Sequence, residues 1–169
     1  MTQDQVDVIL KQWSQERPDL DPSPMGVIGR ISRASRYIDQ FLQQNFAQFG
    51  LNGGEFDVLA TLRRHGAPYQ LTPTALFSSL MLSSGAMTNR LDRLEKAGYI
   101  ERQPDPNDRR GTLVTLTKQG LEVIEGVVGA HIAHEQQLLA ALTSAERRVL
   151  AELLRKLLLS FGDDVPAVS

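Results

Sequence analysis

The chain of 169 residues contains no cysteine. That excludes disulfides, thiolate zinc sites and thiol-based redox switching. No run of about 18 apolar residues occurs, so no segment reads as a transmembrane helix. The opening MTQDQVDVILKQW is acidic and amphipathic, unlike a secretory leader, and a cytoplasmic protein is expected. With 13 Gly and 8 Pro, the chain is too poor in both for a collagen-like or low-complexity protein. Aromatic residues are sparse at 6%, whereas 41% of residues are hydrophobic and 22% charged. This balance excludes a disordered chain and suits one ordinary domain, alone or with added association helices. There is no Gly-rich phosphate loop, nucleophile elbow or catalytic cysteine, so an enzyme is the least supported class and no cofactor is implied.

What is present is unevenly charged. The formal net charge is −2, but residues 60–120 carry nine Lys and Arg against five acids, leaving the remainder at −6. A basic middle in an acidic frame fits a compact reader of nucleic acid, although many enzymes show as much.

Periodicity supplies the elements. Val6, Ile9, Leu10 and Trp13 form one stripe of a short helix, followed by the proline-broken linker ERPDLDPSP. A long helix is expected from about Met25 to Phe49, with Ile28, Ile31, Ile38, Leu42 and Phe46 on its apolar side and Gly50 as its stop. Asn52 and Glu55 form a capping box for a helix over 53–64, whose buried face carries Phe56, Leu59 and Ala60. Thr72 and Pro73 open a short helix ending near Met81. Ser83 or Ser84 caps the next, which runs to about Ala97 and stops at Gly98. YIERQ and TLVTLT then read as a hairpin around a long polar loop, PDPNDRRG. Thr117 caps a helix reaching about Leu142. The capping box Thr143–Glu146 opens a last helix with Leu150, Leu153, Leu154, Leu157 and Phe161 on one stripe.

The expected fold is therefore mainly α with a small β-hairpin wing: a winged helix-turn-helix over residues 51–117, between N-terminal helices (1–50) and C-terminal helices (118–169) for dimerisation. The second helix of such a pair enters the major groove. On a helical wheel with Met87 at zero, Leu91 and Leu94 fall at about 40° and 340° and define the core side. Gly85, Asn89, Asp92 and Lys96 lie opposite, flanked by Thr88 and Arg93, a small, polar face suited to base edges and phosphates. Ser84 and Gly85 let the helix N-terminus approach the DNA backbone closely. At the wing, Arg109 and Arg110 present paired guanidiniums to a minor groove or to phosphates. The helix alone equally fits an ordinary solvated amphipathic helix, and the loop a polar hairpin tip. The direct succession of the two favours DNA binding.

The run LTPTALFSSLMLSSGAMTNRLDRLEKAGYIERQPDPNDRRGTLVTLTKQG resembles the DNA-binding core of the MarR family of bacterial transcription regulators, with RLEKAGYIER and DPNDRR its most specific parts. The resemblance implies a homodimer on a pseudo-palindromic operator in double-stranded DNA. Such regulators usually repress, and release DNA when a small phenolic or anionic aromatic ligand binds. KQWSQERPDLDPSPMGVIGRISRASRYID and GEFDVLATLRRHGAPY are similar to the PecS-type, urate-responsive branch of that family. The branch implies four ligand residues, matched here by Trp13, Asp57, Arg90 and Arg102. Only Arg102, and not a pair, occupies the wing-strand position.

The residues themselves support part of this. Arg90 falls at about 300° on the wheel, nearer the core edge than the groove face, where an arginine needs an anion or a carboxylate such as Asp57. Urate is a planar aromatic anion that a guanidinium can bind and an indole can cover. Two plain alternatives stay open. Trp13 serves equally as the apolar anchor of its helix, and Asp57 is favoured by the helix dipole in a first turn. His131, His134 and Glu135 form a possible metal face, or a polar helix surface. A winged-helix module used only for protein contacts is the competing class of function.

Overall fold

The computed structural model describes residues 2–80, 84–106 and 108–163. Helix α1 (Gln5–Glu16) begins where the Asp4 carboxylate accepts the amides of Val6 and Asp7 at 2.8 and 2.9 Å, and Asp7 accepts the Asp4 amide in return. The prolines of the linker end it. Helix α2 (Ser23–Gln48) then runs for 26 residues, starting two residues earlier than the periodicity suggests and ending before Gly50, which adopts φ +68°. Val6 and Leu10 of α1 lie over Gly29 and Gly26 of α2, whose missing side chains let the helices approach. Arg30 completes the attachment, its guanidinium reaching both Asp4 and Asp7.

Helix α3 (Gly53–Arg64) opens with the expected capping box, Asn52 and Glu55 each accepting the other's amide. Strand β1 (Gln70–Leu71) precedes α4 (Pro73–Leu80), where the Thr72 hydroxyl accepts the Ala75 amide. Helix α5 (Ser84–Lys96) stops at Gly98, φ +77°. The expected cap Ser83 and the boundary residue Met81 lie outside the described residues. Strands β2 (Ile100–Asp105) and β3 (Asp108–Leu116) form the wing, and β1 pairs with the other edge of β3 in the order β1-β3-β2, all antiparallel. Helix α6 (Lys118–Leu138) is capped by Thr117 and ends four residues short of the expected Leu142. Helix α7 (Ser144–Ser160) opens on the Thr143–Glu146 box. No helix among the described residues is long and apolar enough to cross a membrane.

The core gathers where α3, α4, α5, α6 and the wing converge. Leu59, Leu62, Leu76, Leu94, Ile100, Val114, Ile124 and Val127 are shielded to within 2% of fully buried. At about 1.5–3 kcal/mol for each buried aliphatic side chain, this cluster is what locks the winged unit onto α6. The outer helices are different. Helix α7 has no buried residue, and Leu153 and Phe161 are 60% and 72% exposed. Apolar side chains on α1 and α2, among them Ile9, Val27 and Ile28, are exposed too.

The wing corrects the expectation of a long polar loop. Its strands continue almost to the tip, so Arg109 and Arg110 belong to β3. The register runs regularly as far as Pro104 with Thr112 and then jumps to Asp105 with Asp108. Residues 109–111 are thus extra on β3, a bulge of the kind that re-aims side chains at a strand end. Gly111 makes it feasible, since a Cβ there would lie 2.9 Å from that of Asp105.

Candidate functional site

The recognition helix α5 is secured on two opposite flanks by charges of opposite sign. Arg90 and Arg93 point to α3, at about 240–300° on the wheel, whereas Asp92 and Glu95 point to the wing at about 80–140°. On the wing side Arg102 of β2 donates from Nη2 to Asp92 at 2.7 Å and to Glu95 at 2.5 Å, and its Nε adds a bond to Glu95 at 3.0 Å. This pairing lowers the Glu95 carboxyl pKa and raises that of the guanidinium, through hydrogen bonds to Glu95 first and Asp92 second. On the α3 side Arg93 meets the Glu55 carboxylate at 2.8 Å. The Arg90 guanidinium lies flat against Gly54, so close that a Cβ there would be 2.3 Å from its Cζ.

Between these flanks, burial and exposure on α5 follow the wheel, except that Asp92 is drawn to Arg102 of the wing. Met87, Leu91 and Leu94 are buried, while Thr88, Asn89, Arg93 and Lys96 are exposed. Ser84 and Gly85 begin α5 and Arg109 and Arg110 lie in the β3 bulge. Beyond that backbone placement these four fall outside the described residues.

Behind α5 opens a cleft of about 330 Å³ lined by α2, α3, α5 and α6, with Asp39, Gln43, Asp57, Arg90, His131 and Glu135 as its polar walls. Arg90 Nη1 and His131 Nδ1 are buried without a hydrogen-bond partner. Asn45 and the Thr61 hydroxyl share that condition in the core, outside the cleft lining. Unpaired buried polar atoms are costly, and two of them belong to residues that line this cleft. Asp57 is open to the cleft, yet crowding by its walls pushes its carboxyl above the ordinary aspartate value, with Arg90, Arg64 and His131 pulling back.

The structure places Asp57 and Arg90 in the lining of one cleft, without the hydrogen-bonded ion pair expected between them, and adds neither Trp13 nor Arg102 to them within one protomer. Arg102 is committed across α5 to Asp92 and Glu95. Trp13 is carried by an α1 that runs antiparallel to α2, since Val6 and Leu10 contact Gly29 and Gly26 in reverse order. It therefore falls at the beginning of α2, some 20 residues and about 30 Å from the cleft at Leu42–Phe46. His131 is neither a metal face nor a polar surface. Its ring packs against Phe56 and Phe46, at centroid distances of 4.7 and 5.3 Å, while Nε2 meets Glu135 at 3.2 Å. His134 turns to the Ala130 carbonyl and the Phe41 ring. Among the described residues no three His, Asp or Glu side chains are placed to hold a metal ion. His131 continues the buried spacing of Ile124 and Val127 at i, i+3 and i+7, a signal its polar neighbours obscure. Glu55 reads in the sequence only as a cap.

Residues 51–112 match the MarR family. Over 150 residues, 89% of this chain and 90% of the relative, the chain is 44% identical to the HTH-type transcriptional regulator PecS of Dickeya dadantii. The chain belongs to the MarR family. It is a bacterial transcriptional regulator, not an enzyme. Solved MarR-family structures share its fold. A mutant MarR from Escherichia coli complexed with operator DNA superposes with TM-score 0.70 at 31% identity, covering 86% of this chain and 97% of that one. BpsR of Bordetella bronchiseptica, whose DNA binding is regulated by 6-hydroxynicotinic acid, superposes with TM-score 0.69 at 27% identity, covering 78% and 98%.

Proposed function

We propose that this MarR-family chain acts as a homodimeric repressor on a pseudo-palindromic operator, and that urate or a related anionic purine releases it by entering the cleft between Asp57 and Arg90. The observation that carries the reading is Arg90: it belongs to the DNA-reading helix, lines the cleft together with Asp57, and has a buried Nη1 with no hydrogen-bond partner. A urate oxygen would accept from that guanidinium, and a urate N–H would be received by the Asp57 carboxylate. Occupation then bears directly on the orientation of α5. A ligand shifts DNA affinity only through different affinities for the two conformations, and a site on the reading helix supplies that difference.

Thr88 and Asn89 are the candidates for base edges, and Arg93, Lys96, Arg109 and Arg110 for phosphates or the minor groove. Two recognition helices about 34–36 Å apart would meet successive major grooves. Exposed apolar side chains of α1, α2 and α7, too many for an isolated protomer, support self-association through these helices. The operator complex of Escherichia coli MarR and the heterocyclic effector of BpsR lend the reading further weight.

The test is a titration of DNA from the chain's own promoter at two salt concentrations, with and without urate, beside sedimentation. Expected are a dimer at micromolar concentration, a steep loss of affinity with salt, and release by urate. A shallow salt slope would favour a module for protein contacts. Undiminished operator binding in millimolar urate would defeat the purine reading and make a phenolic ligand the next candidate.

A further inference from the structure

We propose that Glu55 is a positioning residue for operator recognition, holding Arg93 of the recognition helix in the orientation that meets a DNA phosphate. The inference rests on the DNA-binding reading above but not on the identity of the effector. Glu55 is 3% exposed, and its Oε2 accepts the Asn52 amide at 2.9 Å, closing the α3 capping box. A cap does not require a charge, because glutamine serves that position as well. A carboxylate kept in a buried position needs a counter-ion, and here it has one: Oε1 lies 2.8 Å from Arg93 Nε.

The pair is asymmetric in a useful way. The Glu55 side chain is buried to 4%, while that of Arg93 is 66% exposed. The ion pair approaches Arg93 at Nε, which leaves its two terminal amino groups as the fork that binds phosphate in bidentate fashion. Glu55 is anchored through its backbone, because the next turns of α3 carry Val58, Leu59 and Leu62 into the core with no exposure at all. A long side chain on the rim of the reading face is thereby held at its base, so fewer rotamers are lost when DNA arrives.

The experiment measures operator affinity at two salt concentrations for the full-length chain and for Glu55→Gln, Arg93→Ala, Arg93→Lys and the double variant Glu55→Gln/Arg93→Ala, with thermal melting alongside. Arg93→Ala should lower affinity by about tenfold and the salt slope by about one. Glu55→Gln, which keeps the cap, should lower affinity by about fivefold in the parent and less than twofold once Arg93 is alanine. Arg93→Lys, which keeps the charge but lacks the fork, should bind nearly as poorly as Arg93→Ala. An equal loss from Glu55→Gln in both backgrounds would reduce Glu55 to a cap and overturn the proposal. So would Arg93→Lys binding like the parent, a result that stands even if Glu55→Gln fails to fold. If the parent chain itself shows no salt-dependent operator binding, the DNA reading fails first, and the proposal falls with it.

Discussion

Gly54→Ala tests the proposed role of Arg90 in binding the effector. A Cβ at this position would lie 2.3 Å from both Cζ and Nε of Arg90 and 2.6 Å from Nη2. Carbon contacts settle near 3.5 Å, so the guanidinium must retreat by roughly 1.2 Å or more. It can do so, because it is the end of a flexible side chain and not backbone. Alanine also gains up to about 1 kcal/mol over glycine in a helix, so the variant should fold and melt within about 4 °C of the parent. The cleft loses its aligned cation. One charge-assisted hydrogen bond is worth about 1.5–3 kcal/mol, so urate should bind at least about tenfold more weakly. The exposed face with Thr88, Asn89 and Lys96 is untouched, and operator affinity should stay within about threefold of the parent. Calorimetry of urate binding to DNA-free protein, operator titration and thermal melting together decide it. A folded variant with unchanged urate affinity would refute the placement of the ligand at Arg90.

Three further outcomes follow from the packing. Gly120→Ala should cost more than about 3 kcal/mol, because its Cβ would fall 1.9 Å from the Tyr99 carbonyl oxygen, an immovable backbone atom; a thermal melt would show it. The raised Asp57 pKa means that the folded chain holds that proton more tightly than the unfolded one, so stability falls as pH climbs from the ordinary 3.8 through the raised value. Asp57→Asn should therefore match the parent in urea unfolding at pH 3 and exceed it at pH 7. Arg102→Ala should leave Asp92 and Glu95 unpaired, return the Glu95 pKa upward, and speed amide exchange in β2 and β3; unchanged exchange there would mean the wing does not depend on this staple.

Local features were legible in the sequence, and features closed over distance were not. The capping boxes at Asn52–Glu55 and Thr143–Glu146 are complete within four residues, and the core side of α5 follows from a single period. Strand β1 is only two residues long and exists because β3 pairs with it, at Gln70 with Thr115 and Leu71 with Val114. No pattern within QL announces that. The wing bulge likewise depends on a register jump, which residue types at the tip do not reveal. In the cleft, Asp57 and Arg90 were named together through the resemblance to the PecS-type branch, and the wheel angle of Arg90 added only that it points to the core edge. The carboxylates that claim Arg102 lie seven and ten residues away across a turn, and His131 is drawn inward by Phe46 and Phe56 from two other helices.

The fastenings of α1 gather within little more than one turn of α2, from Gly26 to Arg30. Two glycines form a seat and one arginine a latch, all far from the Leu42–Phe46 end where the cleft begins. An N-terminal helix attached this way is a separable part. Changing these three residues would loosen α1 without touching the core of the winged unit, whose buried residues lie elsewhere. Filling the seat is therefore a way to eject α1 and read its own contribution to self-association separately from the winged unit.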